Sequence, residues 1–352
     1  MAGFNSSDIT LLESAISASS RPVIVSHAKP DGDAMGSCVA MFHFLLSEGK
    51  GDTRIVLSDP WPNYLSFIMT EEAKAATTTC SDIPGEAERV IAASDLIICL
   101  DFNAFHRTDK LEGPLSASKA RKILIDHHLN PDSESFSLCF SKTDISSASE
   151  LLYSILMQTA GIDGDASKLP LEAATALMTG MTTDTNNFAN STYPSTLRMA
   201  SELIAAGVDR DRIISEIYNR YRENRLRLMG LVLKDLMKVT SFGVAYIVLD
   251  SRTLKQYDIQ EGETEGFVNM PLSIDTVRMS LLLKEEGDKV RVSIRSKKGT
   301  SANRCARTYF NGGGHENAAG GKLYMPSDIK DISEAAGYIE KHTQKFLKEE
   351  NE

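Results

Sequence analysis

At 352 residues the chain is too long for one ordinary core, which predicts two domains. Apolar residues at 42% and charged residues at 24% are ordinary globular composition and exclude a disordered chain. A net charge of −10 excludes a long basic face for duplex nucleic acid, but leaves room for a small anionic substrate met by a local positive cluster.

The first twenty residues have no cationic start and no long apolar run, so no signal peptide is expected. Ser6, Ser7 and Asp8 are N-cap candidates for a helix through about Ile16, with Ile9, Leu12 and Ile16 on one face. The β-branched run from Pro22 predicts a buried strand that delivers His27 to its carboxyl end. A turn then carries Asp31 and Asp33, and helical spacing resumes at about Ala34. Arg54–Leu57 reads as a second strand, with Asp59 as a turn residue before proline. Leu96–Leu100 is a third, ending in Asp101, and Lys122–Ile125 a fourth, ending in Asp126, His127 and His128. Little can be read between Tyr64 and Arg89.

Three strands that finish on Asp or His, with helical crossovers between them, fit a doubly wound sheet, in which ligands bind beyond the carboxyl ends of the strands. A single Asp there is more often a helix cap. Four acids with two imidazoles point instead to a metal site of mixed oxygen and nitrogen donors. Helices are expected over residues 149–160 and 171–178, followed by a polar break from Thr179 that carries Asp184, a natural sixth ligand.

Residues 209–238 read as a charged helical connector whose arginines at 220, 222, 225 and 227 form a solvated face. The fold class is therefore α/β: an N-terminal doubly wound, mainly parallel sheet over residues 1–208, joined by this connector to a smaller α/β domain over residues 239–352. Strands are expected over residues 243–249, 277–283 and 290–295, and a final helix from about Ser333. Residues 290–307 hold Arg291, Arg295, Lys297, Lys298, Arg304 and Arg307 with no acid among them, a positive spot in an acidic chain. Gly312, Gly313, Gly314 and His315 follow. With the small residues after them read as a helix start, they suit a phosphate through free N–H groups. The five scattered cysteines, never spaced Cys-x-x-Cys, read as reduced thiols in a cytoplasmic protein, and no apolar stretch is long enough to span a membrane.

His27-x-x-x-Asp31-x-Asp33, the strand-ending Asp101, Asp126-His127-His128, Asp184 in Thr-Thr-Asp, and the C-terminal Gly-Gly-Gly-His resemble the DHH phosphoesterases. The resemblance is closest to the subgroup with a DHH-associated C-terminal domain, the NrnA-like oligoribonuclease and pAp phosphatase proteins, some named exopolyphosphatase-related. It runs in order from about residue 20 to 325. It implies a site for two divalent ions, most often Mn2+, with His27, Asp31, Asp33, Asp101, His127 and Asp184 as ligands. Asp101 would bridge the ions, His128 would face the scissile phosphate, and Asp126 would orient an imidazole. In the second domain it implies Asn269, Arg295, Ser296, Gly313, Gly314 and His315 as substrate-binding residues, and it implies dimerisation through the first domain.

The expected activity is hydrolysis of linear dinucleotides, nanoRNA and 3',5'-bisphosphate pAp by two-metal activation of a bridging water. Exopolyphosphatase or pyrophosphatase activity on the same site is an alternative, disfavoured because Phe267 and Asn269 would be wasted on a substrate without a base. Cyclic dinucleotide cleavage ranks below the linear substrates. A non-catalytic nucleotide-binding protein predicts lost ligands, and none is missing.

Overall fold

A computed structural model describes residues 4–350 apart from Pro84. The chain divides into two compact units at Arg220/Tyr221. In the first, the strands β1 (Pro22–Val25), β2 (Arg54–Leu57), β3 (Thr77–Thr79), β4 (Leu96–Leu100), β5 (Arg121–Asp126) and β6 (Leu138–Ser141) form one sheet in the order β3-β2-β1-β4-β5-β6, and every pairing is parallel. This is the doubly wound arrangement.

Its strands are apolar on both faces because both faces are covered. Ile24, Ile55, Ile98 and Ile123 pack under the helices Ser6–Ala18, Gly32–Ser47, Ala148–Leu156 and Leu171–Asp184. Val23, Val56, Ile97 and Leu124 pack on the other side against Ile91, Phe102, Leu111 and Leu115. The strand order reverses between β1 and β4, and in doubly wound sheets a crevice opens beyond the strand ends at such a point. β3 and β6 are short edge strands, and β3 fell in a stretch where the sequence showed no pattern.

Two helices differ from the sequence reading. The helix expected from about Ala34 starts at Gly32, because Asp31 caps it by accepting from the N–H groups of Asp33 and Ala34, both at 3.1 Å. The helix expected to break at Thr179 runs on to Asp184. Gly180 is there for close approach, since a Cβ on it would lie 2.0 Å from the Ser149 hydroxyl.

In the second unit, β7 (Lys238–Val239), β8 (Val244–Leu249), β9 (Met279–Glu286), β10 (Lys289–Ser296), β11 (Gly313–Gly314) and β12 (Ala318–Tyr324) form a sheet in the order β11-β12-β10-β9-β8-β7. Only β8 and β9 pair in parallel. One face packs on the helices Ala302–Tyr309 and Ala335–Glu350, and the other on Leu228, Val232 and Phe267. The charged stretch 209–238 is not a single rod. Arg210–Tyr218 buries Ile213 and Ile217 in the first core, while Glu223–Leu231 and the π-helical turn after it belong to the second. Nor do its arginines share a solvated face. Arg225 is buried, stacked 3.7 Å from the Tyr221 ring centroid and 5.1 Å from that of Phe267, and it donates to the Glu265 carbonyl at 2.6 Å. No described helix is long and apolar enough to cross a membrane.

Candidate metal centre

The crevice between β1 and β4 fixes the site. A hydrogen bond from the Ser26 hydroxyl to the Leu100 carbonyl, 2.9 Å, ties the two strand ends together one residue before His27 and Asp101. Asp101 leaves its strand at φ 61, a left-handed conformation that Asp tolerates better than most residues. The Asp101 N–H donates to Ile125 at 3.1 Å, and the side chain is buried.

Its carboxylate lies between two imidazoles, 3.4 Å from His27 Nε2 through Oδ2 and 3.4 Å from His127 Nε2 through Oδ1. His27 Nε2 is also 3.8 Å from Asp31, and His127 Nε2 is 3.7 Å from both Asp33 and Asp184. These separations exceed the 2.7–2.9 Å usual for charge-assisted hydrogen bonds. Donors bound to one ion at about 2.1 Å sit roughly 3 to 4 Å apart. The ligand atoms of His27, Asp31 and Asp101 lie within 4.8 Å of one another, and so do those of Asp33, Asp101 and His127. Asp101 belongs to both groups.

Electrostatics in the crevice favour a cation. Buried Asp101 Oδ1 accepts no hydrogen bond. Burial, together with the Asp101 and Asp184 carboxylates, pushes the Asp33 carboxyl well above its usual range. Burial also raises Asp184, to about 6, with Asp31 and Asp101 adding to the rise and His127 opposing it; a third of its side chain remains open to solvent, which tempers the burial contribution. Burial alone would lower the two histidines, yet the facing carboxylates lift both His27 and His127 to about 10. For Asp101 the imidazoles outweigh burial and hold it well below the carboxylate range. Asp184 also ends its helix, where a carboxylate opposes the macrodipole. Carboxylates crowded around shared imidazoles, with one buried oxygen that faces imidazoles but accepts no hydrogen bond, fit a site for divalent cations.

Each donor is aimed by its surroundings. His27 Nδ1 lies 2.9 Å from the Ala28 carbonyl, so it carries the proton and Nε2 faces the acids. Asp126 holds His128 twice, at 2.7 Å to Nδ1 and 3.1 Å to its backbone N–H. Asp33 is gripped by the open end of the helix Ala148–Leu156, accepting from the N–H groups of Ala148 at 2.6 Å and Ser149 at 2.9 Å. Asp59 stays outside the cluster, as the sequence suggested, accepting from the Lys29 N–H at 2.9 Å.

The DHH family, N-terminal domain, matches residues 21–181, and the DHHA1 domain matches residues 240–341. The probable bifunctional oligoribonuclease and PAP phosphatase NrnA of Streptococcus mutans is 30% identical, over 88% of this chain and 92% of the relative. The chain belongs to the DHH phosphoesterases. Within that family it is NrnA-like and a hydrolase of phosphate esters. The bifunctional NrnA of Bacillus subtilis is 28% identical, over 86% of this chain and 89% of its own. The crystal structure of an exopolyphosphatase-related protein from Bacteroides fragilis is 35% identical, with a TM-score of 0.89 and all of both chains covered.

The DHHA1 residues singled out in the sequence all lie in the second unit. Arg295, near the end of β10, pairs across the sheet with Ala318, and its guanidinium donates to the Ile294 carbonyl at 3.0 Å. The buried Ser296 hydroxyl donates to Thr300 at 2.6 Å and accepts from Asn317 at 3.0 Å. Asn269 is half-buried in the 3-10 helix Phe267–Ser273. The glycine-rich stretch is a β-hairpin, not a helix start: β11 turns through His315 into β12. The N–H groups of Gly314 and His315 donate inside this unit, to the Asn303 side chain at 3.1 Å and the Ala318 carbonyl at 2.8 Å. Gly312 is needed because a Cβ there would meet the Gly320 carbonyl at 1.9 Å. Phe267 is fully buried, so it offers no face to a base and does not count against polyphosphate.

Sequence reasoning missed the groups behind the donors: Gly36 and Gly180 at the helix crossing, and Glu150. The pattern Ser147-x-x-Glu150 before an apolar run has the capping-box spacing that marks a helix start, although the Glu150 side chain accepts from the Ser146 N–H and not from that of Ser147.

Proposed function

We propose that the chain is a manganese-dependent hydrolase of short nucleotides, acting on di- to penta-ribonucleotides and on adenosine 3',5'-bisphosphate. The observation that carries it is the Asp101 carboxylate, shared between the His27 and His127 groups with one buried oxygen that accepts no hydrogen bond. Relatives that match nearly end to end are named for these two activities. His27, Asp31 and Asp101 would hold one ion, and Asp33, Asp101, His127 and Asp184 the other. The mix of imidazole and carboxylate favours manganese, iron or cobalt over magnesium. When bound, the pair of ions supplies Lewis acidity that lowers the pKa of water and neutralises phosphoryl oxygens.

The protein's own contribution is aim and charge. His128, its ring fixed by Asp126, is placed beside the Asp101 carboxylate, 3.7 Å away, to meet the reacting phosphate. Arg295, Ser296 and the hairpin at Gly313, Gly314 and His315, with Asn269, are proposed to hold the remainder of the substrate.

The test is product release from a panel containing pApA, ribonucleotides of two to five residues, pAp, cyclic diadenylate and polyphosphate, each with manganese, magnesium and chelator. Manganese-dependent mononucleotide or phosphate from the short nucleotides supports the reading. No product from them, or equal rates from wild type and Asp101→Ala, removes it. Polyphosphate is the second reading, favoured by the name of the Bacteroides relative; phosphate from polyphosphate at a rate above that from pAp would select it.

A further inference from the structure

The Asp33 carboxylate takes its orientation from another helix, since both its oxygens are held by the first N–H groups of Ala148–Leu156. What holds that helix start is a second carboxyl group. Glu150 is fully buried. Its Oε2 accepts from the Ser146 N–H at 3.2 Å, the Ser146 hydroxyl at 2.5 Å and the Thr196 hydroxyl at 2.6 Å. Ser147 completes the cap by accepting from the Glu150 N–H at 2.9 Å.

Glu150 Oε1 has no hydrogen-bond partner. A buried carboxyl group with one oxygen unmatched is costly, and an apolar side chain of similar size would avoid that cost. The compensation lies in what Oε2 gathers. Ser146 lies just before the N-cap Ser147, and Thr196 sits in the first turn of the helix Pro194–Ala205, where its hydroxyl also accepts from the Tyr193 N–H at 3.0 Å. One oxygen therefore ties two helix starts together. With residues 146 and 147 fixed, the N–H groups of Ala148 and Ser149 point at Asp33 and donate to its two oxygens.

We propose that Glu150 is a positioning residue for the metal centre, acting through the Ala148–Ser149 N–H pair to hold Asp33 in its ligating orientation. It touches neither ion nor substrate. The role rests on the reading of Asp33 as a ligand, and its test separates the two.

Manganese binding is measured by calorimetry on wild type, Glu150→Ala, Glu150→Gln and Thr196→Val. Groups that orient a ligand typically change metal affinity about 10–100-fold when removed, and that loss is expected for Glu150→Ala. Glu150→Gln keeps an acceptor oxygen for the three donors and is expected to bind close to wild type, while Thr196→Val loses affinity in part. In turnover assays the kcat of Glu150→Ala recovers as manganese is raised, with KM for the nucleotide unchanged, which a general loosening of the fold would not give. Folded Glu150→Ala that binds manganese as wild type does overturns the role. Should Glu150→Ala not fold, Ser146→Ala and Thr196→Val decide it, and wild-type affinity in both overturns it. Wild type that takes up no manganese removes the metal reading, and this role with it.

Discussion

Gly36 and Gly180 meet where the helices Gly32–Ser47 and Leu171–Asp184 cross: a Cβ on Gly36 would lie 2.8 Å from the Cα of Gly180 and 2.6 Å from the Ala176 carbonyl. At Gly36 only backbone fits between these helices. The crossing brings Asp33, in the first turn of one, beside Asp184, at the end of the other, around one imidazole.

Gly180→Ala is therefore expected to destabilise the first unit by about 1–3 kcal/mol, the usual cost of overpacking. It should also weaken manganese binding, because the new Cβ would press on Ser149 and lie 3.0 Å from Asp33 Oδ1. Gly51, with open space around it, is the control, and Gly51→Ala should change neither. Urea midpoints and a manganese titration of the three proteins check this.

Asp101→Asn separates backbone from charge. Asn adopts a positive φ as readily as Asp, so the variant should fold. Because the facing imidazoles hold the Asp101 carboxyl well below its usual range, its charge contributes stability at neutral pH, and removing it should lower the melting temperature of metal-free protein. Turnover should fall by more than about 100-fold, beyond the loss typical of groups that only orient a ligand. Differential scanning calorimetry and the nucleotide assay together test this, and an unchanged or higher melting temperature would contradict it.

Arg225→Ala should cost the second unit roughly 2–4 kcal/mol, the combined worth of a buried charged hydrogen bond and stacking on aromatic rings. Arg225→Lys should recover less than half of that, because an ammonium cannot both lie flat on Tyr221 and reach the Glu265 carbonyl. Chemical denaturation followed by a probe in residues 221–350 measures both.

The Tyr246 hydroxyl donates to Glu340 at 2.5 Å, joining β8 to the C-terminal helix. Burial and Glu340 push its pKa up to about 12. An acid whose folded pKa is raised contributes stability that is complete below the unfolded pKa of about 10 and is lost as pH climbs from there through the folded value. Wild type should lose stability between about pH 10 and pH 12, and Tyr246→Phe should show a shallower loss. Denaturation midpoints across that range test it.

The sequence by itself determined the buried strands and the acids and imidazoles at their ends. Arg54–Leu57 and Leu96–Leu100 appear where their apolar runs placed them, because a strand covered on both faces must be apolar along its whole length. His27, Asp31, Asp33, Asp101 and Asp126-His127-His128 were legible for the same reason: each follows such a run and lies at the sheet's carboxyl edge. Thr77–Thr79 and Leu138–Ser141 were not, since short, partly exposed edge strands carry no comparable run. Gly180 reads locally as a helix breaker, and only the helix packed against it makes it a point of contact. The same holds for Gly312–Gly314, which lead into a hairpin because β11 and β12 pair, and for Glu150, whose partner Thr196 and, through the helix end, Asp33 come from separate parts of the chain. Strand identity is written in local hydrophobicity, whereas the aim of a ligand depends on which distant groups share its space, and that is settled only when the layers pack.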